Sequence, residues 1–427
     1  MTLVLLFGSL ALCLLIGVPI FMALGVATLV ALAASDIPMI IVAQTLYQGI
    51  DKFPLLAIPS FILAGSLMEY GGVTRQIVDV MSKFTGRVSG GLGIATILAC
   101  MFFSAISGSG PGTVAAVGSV MIPAMLRHGY GREYAGAVSS SGGTLGILIP
   151  PSNPMIIYGV IAQASIVGLF MAGFVPGIII GLAHCLVAYY VARRLNYGGS
   201  GERFTMRGFL AACWRGKFAL ATPFIVLGGI YGGVFTPVEA SVIAVLYGLF
   251  VGVVINRALT VRSIFNALTD AARISTALII VATSTVFGQI LVVNQAPARL
   301  AHMLAGVSTD WFVIMLLIIL VFFILGTFME TLSTIIIMTP ILLPVVTQLG
   351  VDPIHFGIIF VVTNEVAFLT PPLGANLFVA CQLAHVRLER LSLHVLPHIA
   401  AIVICILILT YFPQISLWLP HLLEYGR

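Results

Sequence analysis

Ser139-Ser-Ser-Gly-Gly-Thr-Leu-Gly-Ile-Leu-Ile-Pro-Pro-Ser-Asn-Pro154 is the stretch on which the reading of this chain turns. It sits between apolar segments, so a helix is expected to run into it from both sides. Each proline lacks an N–H and frees a carbonyl one turn earlier. Two in succession predict an unwound backbone. A second copy lies downstream, Thr363-Asn-Glu-Val-Ala-Phe-Leu-Thr-Pro-Pro-Leu-Gly-Ala-Asn376. At an offset of 221 residues the Pro150-Pro151 pair falls on Pro371-Pro372 without a gap. At that same offset Phe102 falls on Phe323, Thr113 on Thr334, Pro123 on Pro344, Gly129 on Gly350 and Gly136 on Gly357. Prolines and glycines set backbone geometry, so shared positions imply shared irregularities. Upstream the match continues weakly, with Gly-Val-Pro at 17–19 resembling Phe-Thr-Pro at 235–237.

The composition says what surrounds these breaks. Of 427 residues 60% are hydrophobic and 8% charged, against about 25% charged in soluble domains. So little charge cannot cover a water-facing surface. Apolar runs recur, among them Phe218 to Phe235, Ala240 to Val254, Ile274 to Val293, Trp311 to Phe328 and Leu396 to Phe412. A crossing takes about 20 such residues, which predicts about nine crossings, two of them interrupted, and two hairpins that dip in and return. Leu3 to Leu32 lacks a basic leader and a cleavage site and reads as one retained helix. The longest polar stretch, Arg193 to Lys217, is too short to fold alone.

Net charge is +5, but its placement reports topology and not nucleic-acid binding. With Met1 inside and two re-entrant hairpins, only Lys52, Arg299 and Arg427 fall opposite the other lysines and arginines, Arg87, Arg127 and Arg203 among them. The crowded side is cytoplasmic. This threading inverts the second half relative to the first, the arrangement of many secondary transporters. The fold expected is an all-α polytopic membrane protein of inverted repeats. The first spans 1–220, with a hairpin at about 91–126 and a broken helix at about 134–163. The second spans 221–427, with a hairpin at about 311–348, a broken helix at about 355–385 and a C-terminal helix.

Each hairpin has its own break. Ser107-Gly-Ser-Gly-Pro-Gly-Thr113 interrupts the run from Ile94 to Met125, and its glycines and proline cannot sit inside a stable helix. Gly326-Thr-Phe-Met-Glu-Thr-Leu-Ser-Thr334 takes the same place in the second copy. Non-helical backbone persists in a membrane only where protein buries it or it lines a cavity. Freed carbonyls suit a hard cation, and half-helix N-termini suit an anion. Two Na⁺ sites are therefore expected. The first draws on Ser107, Ser109, Gly142, Leu145 and Pro150, the second on Gly326, Thr327, Glu330, Thr363, Val366 and Thr370. A substrate carboxylate is expected between them, near Ser109, Ser152, Asn153, Glu330 and Asn376.

Packing competes with binding at these positions. Glycine and serine also mark close helix contacts in membranes, and this applies to each one named above. An ionisable group deep in the bilayer costs about 3 kcal/mol or more, so Glu330 is read as functional. Glu365 has two readings, a functional group or a brace for the broken helix. Glu239 and Asp310 read as helix starts. The cysteines at 13, 100, 185, 213, 381 and 405 form no CxxC pair and read as small buried hydrophobes. Among the histidines at 128, 184, 302, 355, 385, 394, 398 and 421, only His394 and His398 stand at i, i+4, and no HExxH accompanies them. Gly108-Ser-Gly-Pro-Gly112 follows no strand and lacks Gly-Lys-Ser/Thr, which excludes a nucleotide loop. An intramembrane enzyme would need a nucleophile–base or metal constellation, and none is present in the sequence. A passive channel gives no reason for paired hairpins.

Ser107-Gly-Ser-Gly-Pro-Gly-Thr113, Gly146-Ile-Leu-Ile-Pro-Pro-Ser-Asn-Pro154 and Thr370-Pro-Pro-Leu-Gly-Ala-Asn376 resemble the large membrane subunit of TRAP, or tripartite ATP-independent periplasmic, transporters. The resemblance covers nearly the whole chain. It implies a multi-pass protein of the bacterial inner membrane that imports organic acids such as C4-dicarboxylates and sialic acid, driven by Na⁺. It implies a periplasmic binding protein that delivers substrate and a small four-helix membrane subunit. Neither has a counterpart stretch here, so both are expected as separate chains. It also implies an elevator-type transport domain moving against a scaffold. Both hairpins and both broken helices are expected to move, and the helices around 3–32, 165–193 and 218–256 to form the scaffold. The alternative is a standalone ion-coupled carboxylate symporter that needs no binding protein.

Overall fold

The computed structural model describes residues 2–35, 40–86, 88–199, 204–299, 303 and 310–423. Met1, Arg87, Arg203, His302 and Arg427, which entered the charge and histidine readings, lie outside them. All regular structure among the described residues is helical. The expected single helix over 3–32 is instead two, α1 (Thr2–Leu15) and α2 (Ile20–Ala33), packed on each other. Gly17 takes φ +81°, which glycine adopts without strain, and Pro19 has no N–H to continue α1. Then come α3 (Ile40–Ile50), α4 (Ala57–Tyr70) and α5 (Val73–Thr85).

Next is a helical hairpin, α6 (Gly91–Ser107) and α7 (Gly110–Arg127). The Thr96 hydroxyl near the start of α6 reaches Met125 near the end of α7 at 4.0 Å, so the arms run antiparallel. A broken helix follows, α8 (Arg132–Leu148) and α9 (Asn153–Ala162), with a cis Pro150-Pro151 bond between them. The half closes with α10 (Ile166–Arg194), 29 residues long. A short α11 (Met206–Arg215) leads at a 67° bend into α12 (Lys217–Tyr231). The second half continues with α13 (Pro237–Phe250), α14 (Val261–Ser275) and α15 (Ile279–Val293). A second helix pair, α16 (Trp311–Phe328) and α17 (Thr331–Gln348), precedes α18 (Pro353–Phe368) and α19 (Ala375–Ala384). The segment between α18 and α19 again holds a cis Pro-Pro bond, Pro371-Pro372. The chain ends with α20 (Leu388–Tyr411) and α21 (Gln414–Leu422).

Caps account for several of these starts. Thr236 and Glu239 form a reciprocal capping box at α13, and Asp310 accepts from the Phe312 N–H at α16, 2.9 Å. Seven described helices are long and apolar enough to cross a membrane, or up to eight if the bent pair counts as one span. That is fewer than the crossings expected from the apolar runs, because several of those runs are cut into helices of 10–17 residues.

The halves exchange equivalent helices. At the 221-residue offset α4 corresponds to α15, α3 to α14 and α2 to α13. In space α4 packs on α13 and α14, while α15 packs on α2 and α3. Likewise α19 packs on α7 and α9 on the corresponding α17. At the centre stand α8 and α18, buried on every side from Tyr134 to Leu148 and from His355 to Phe368. The helix around 165–193, expected in the scaffold, does not stand apart from them. As α10 it packs on α6, α8, α20 and α21.

Candidate functional site

The hairpin tip is built by short-range bonds. Gly108 closes α6 at φ +60°, and Ser109 caps α7 by accepting from the Gly112 N–H at 3.3 Å. The Thr113 hydroxyl donates to the Ser109 carbonyl at 2.8 Å and lies 2.8 Å from the Ser107 hydroxyl. The tip sits on the first break, where the Asn153 N–H donates to the Gly108 carbonyl at 3.4 Å. Ser152 caps α9, accepting from the Met155 N–H at 3.4 Å, and donates to the Ile147 carbonyl. Pro150 is buried between them.

Bare glycine faces bring the pieces this close. A Cβ on Gly146 would collide with the Ser109 carbonyl, and one on Gly110 would stand 2.9 Å from the Asn376 Oδ1. Asn376, at the start of α19, donates from Nδ2 to the Ser140 carbonyl of α8 at 3.2 Å. So Ser107, Ser109, Pro150, Ser152, Asn153 and Asn376 converge, drawn from both halves. Asn153 and Asn376 each keep a buried Oδ1 with no partner among the described residues.

Gly142 and Leu145, also expected in the first ion site, lie on α8. Gly142 packs on α6, where a Cβ would stand 2.8 Å from the Cys100 sulfur. The Leu145 carbonyl is engaged by the Ile149 N–H at 2.9 Å, because the helical ladder persists to the edge of the break.

The second set lies on the second helix pair and on α18 with the segment that follows it. Gly326 abuts Ala367 of α18, and the Thr327 hydroxyl returns to its own helix at Ile324, 2.7 Å. Thr363 does the same at Ile359, 2.7 Å. The Val366 carbonyl already accepts from the Thr370 hydroxyl at 2.7 Å and the Leu369 N–H at 3.0 Å. Glu330 stands at the start of α17, its carboxyl beside Ser333 and its Oε2 buried with no hydrogen bond among the described residues. It borders a cavity of about 990 Å³ shared with Ser333, Arg273 and the α14–α15 junction. Ser109, Ser152, Asn153 and Asn376 do not line that cavity.

Sequence reasoning missed a polar cluster at the bundle centre. The imidazoles of His184 on α10 and His398 on α20 meet Nδ1 to Nδ1 at 3.1 Å, and His184 Nε2 lies 3.5 Å from the Thr144 hydroxyl. Beside Thr144 is the fully buried carboxyl of Glu365. Thr144 and Glu365 occupy the same repeat position, 221 residues apart, so the signal was present in the offset. His398 thus pairs with His184 and not with His394, whose Nδ1 lies 2.9 Å from the Arg390 carbonyl. Among the described residues no His, Cys, Asp and Glu group has the geometry to hold a metal ion, and the six cysteines are free.

Comparison with known proteins places the chain. Residues 7–415 match the family described as Tripartite ATP-independent periplasmic transporter, DctM component. The chain is 46% identical over 415 residues to the isethionate TRAP transporter permease protein DctMQ of Oleidesulfovibrio alaskensis, across 97% of this chain. It spans only 65% of that relative's length. It is 36% identical to the C4-dicarboxylate TRAP transporter large permease protein DctM of Rhodobacter capsulatus, over 99% of this chain and 100% of that one. It is 34% identical to the sialic acid TRAP transporter large permease protein SiaM of Vibrio cholerae, over 90% of each. Two solved transporters share the fold. YdaH of Alcanivorax borkumensis has a TM-score of 0.65 at 14% identity, covering 87% of this chain and 88% of its own. MtrF of Neisseria gonorrhoeae has 0.59 at 15%, covering 89% and 84%. With the motifs, the helical architecture and the family match in agreement, this multi-pass membrane protein belongs to the TRAP transporter family as its DctM large permease component.

Proposed function

We propose that the chain is the Na⁺-coupled import subunit for a small organic acid anion in the bacterial inner membrane. A periplasmic binding protein delivers the anion, and a small four-helix membrane subunit packs against the chain. The observation that carries this reading is a set of buried oxygens without a partner among the described residues: Asn153 Oδ1 and Asn376 Oδ1 beside the breaks, Asn364 Oδ1 on α18 and Glu330 Oε2 at the second helix pair. Buried polar atoms are nearly always paired. Oxygens left open there suit Na⁺, a hard cation. The side chains of Ser109, Ser152, Asn153 and Asn376, gathered where the tip meets the first break, are the polar groups offered to an acid group.

The energetics are consistent with this. Each Na⁺ falling through about 100 mV supplies about 2.3 kcal/mol, before its concentration gradient is counted. Two ions therefore leave a surplus after one monoanion is carried. In this reading the hairpins are re-entrant and the halves inverted. The bundle of hairpins, broken helices, α10 and α20 moves against α1–α4 and α12–α15.

The similar proteins named for isethionate, C4-dicarboxylates and sialic acid all handle small organic anions. The higher identity to the isethionate protein makes a small sulfonate the first compound to try beside the carboxylates. The test is uptake into proteoliposomes holding the chain and its small subunit, with each candidate anion and its binding protein. Saturable uptake that needs both the sodium gradient and the binding protein is expected. Uptake indifferent to sodium overturns the coupling, and uptake without the binding protein establishes the standalone symporter instead.

A further inference from the structure

A crevice of about 610 Å³ lies between the first hairpin and α12. Its inner wall is Leu98, Phe102 and Ala105 of α6 with Ile149 at the break, and its outer wall includes Phe224 and Gly228 of α12. The remaining lining is also apolar except for Tyr231, whose hydroxyl is already occupied, donating to the Phe170 carbonyl at 3.1 Å. The crevice therefore offers a ligand no free polar group. The volume excludes a transmembrane helix, which is about 10 Å across and needs about 30 Å of length. It suits an alkyl chain. With a methylene given about the 30 Å³ of a water in the liquid, 16 to 18 carbons fill roughly 480–540 Å³. The opening is on the outer side of α12, where Phe224 is 71% exposed and Gly228 presents no side chain.

We infer that this crevice is a binding site for one lipid acyl chain, lodged between the first hairpin and α12. Its position gives the site a consequence. Ala105 is two residues from Ser107 at the tip, and Ile149 immediately precedes Pro150. A tail in the crevice lies against the residues that flank the tip and the break. Protein interiors tolerate voids poorly, so the empty crevice is the less stable state. The inference concerns binding and stands whether or not the chain moves as proposed above.

The experiment uses the full chain in phosphatidylglycerol nanodiscs that carry a fraction of lipid with a photoactivatable diazirine on the acyl chain. Adducts are mapped by mass spectrometry. Adducts are expected on the inner residues Leu98, Phe102 and Ile149 as well as on Phe224. Gly228→Leu places a side chain where nothing lies within 4 Å, and leucine is the better helix former. It should cut labelling of the inner residues about tenfold, the scale of overpacking a filled site, and leave Phe224 labelled. Adducts confined to Phe224 and other outward-facing groups in the unmodified protein overturn the inference without any variant. Inner labelling unchanged in a folded Gly228→Leu protein also overturns it.

Discussion

At the scale of single residues, the hairpin tip depends on what Gly146 lacks. Any Cβ there meets the Ser109 carbonyl, which is backbone and cannot swing aside. Gly146→Ala is expected to push the tip off α8, destabilise the protein by about 1–3 kcal/mol, and raise the sodium concentration for half-maximal uptake. A melting curve and a sodium titration read the two effects separately. Thr113→Val removes the hydroxyl that donates to the Ser109 carbonyl. It should cost about 1 kcal/mol. Ser107→Ala and Ser109→Ala should weaken sodium-dependent uptake in the same assay, and unchanged sodium dependence would count against the first ion site. The motif residues were legible because proline, glycine and serine state their backbone role in the sequence. Which carbonyls of α8 an ion could reach was not, because that is set by the helix's rotation against α6 and α7.

At the scale of elements, the breaks could be read and the partners of each piece could not. Gly17 and Pro19 end α1 by the same backbone chemistry that breaks α8. An apolar run hides such a stop unless each glycine and proline is weighed individually. Helix α18 illustrates both kinds of support. Asp352 accepts from the Ile354 and His355 N–H groups at 2.7 and 3.2 Å, so Asp352→Ala should cost about 1 kcal/mol. Phe360 stacks on Phe322 of α16 with ring centroids 4.0 Å apart. Phe360→Ala should cost about 3 kcal/mol and free α16 from α18. Faster amide exchange over 311–328 than over 91–107 would show that loss, and equal exchange would refute it.

At the scale of the whole molecule, the proposed motion makes a geometric demand. The bundle touches α4 at Gly65, where a Cβ would lie 3.1 Å from the Ser107 Cα and 3.4 Å from its Cβ. A smooth helix face at the contact is what a sliding tip requires. The separation is close to the Cβ–Cβ range of about 3.5–4.5 Å in disulfides. With the six native cysteines replaced, a Gly65→Cys/Ser107→Cys protein should cross-link on oxidation and stop transporting, and reduction should restore the rate of the reduced protein. Full transport with the cross-link intact would mean that tip and α4 travel together. The His184–His398 pair and Glu365 belong to this scale as well, since α8, α10, α18 and α20 each bring one member to the centre.

The sequence by itself determined that the chain lives in a membrane, where its helices break and that the breaks come twice. Those properties follow from composition and from prolines and glycines, whose effects act within one helical turn. Only the tertiary structure decided that α10 packs on the first hairpin, that Asn376 meets α8 beside the hairpin tip, and that the halves exchange equivalent helices. Those properties depend on which faces meet, and in apolar helices nearly every face is hydrophobic enough to do so. Close approach then selects among them, through bare glycine surfaces and a few buried polar contacts that no local pattern encodes.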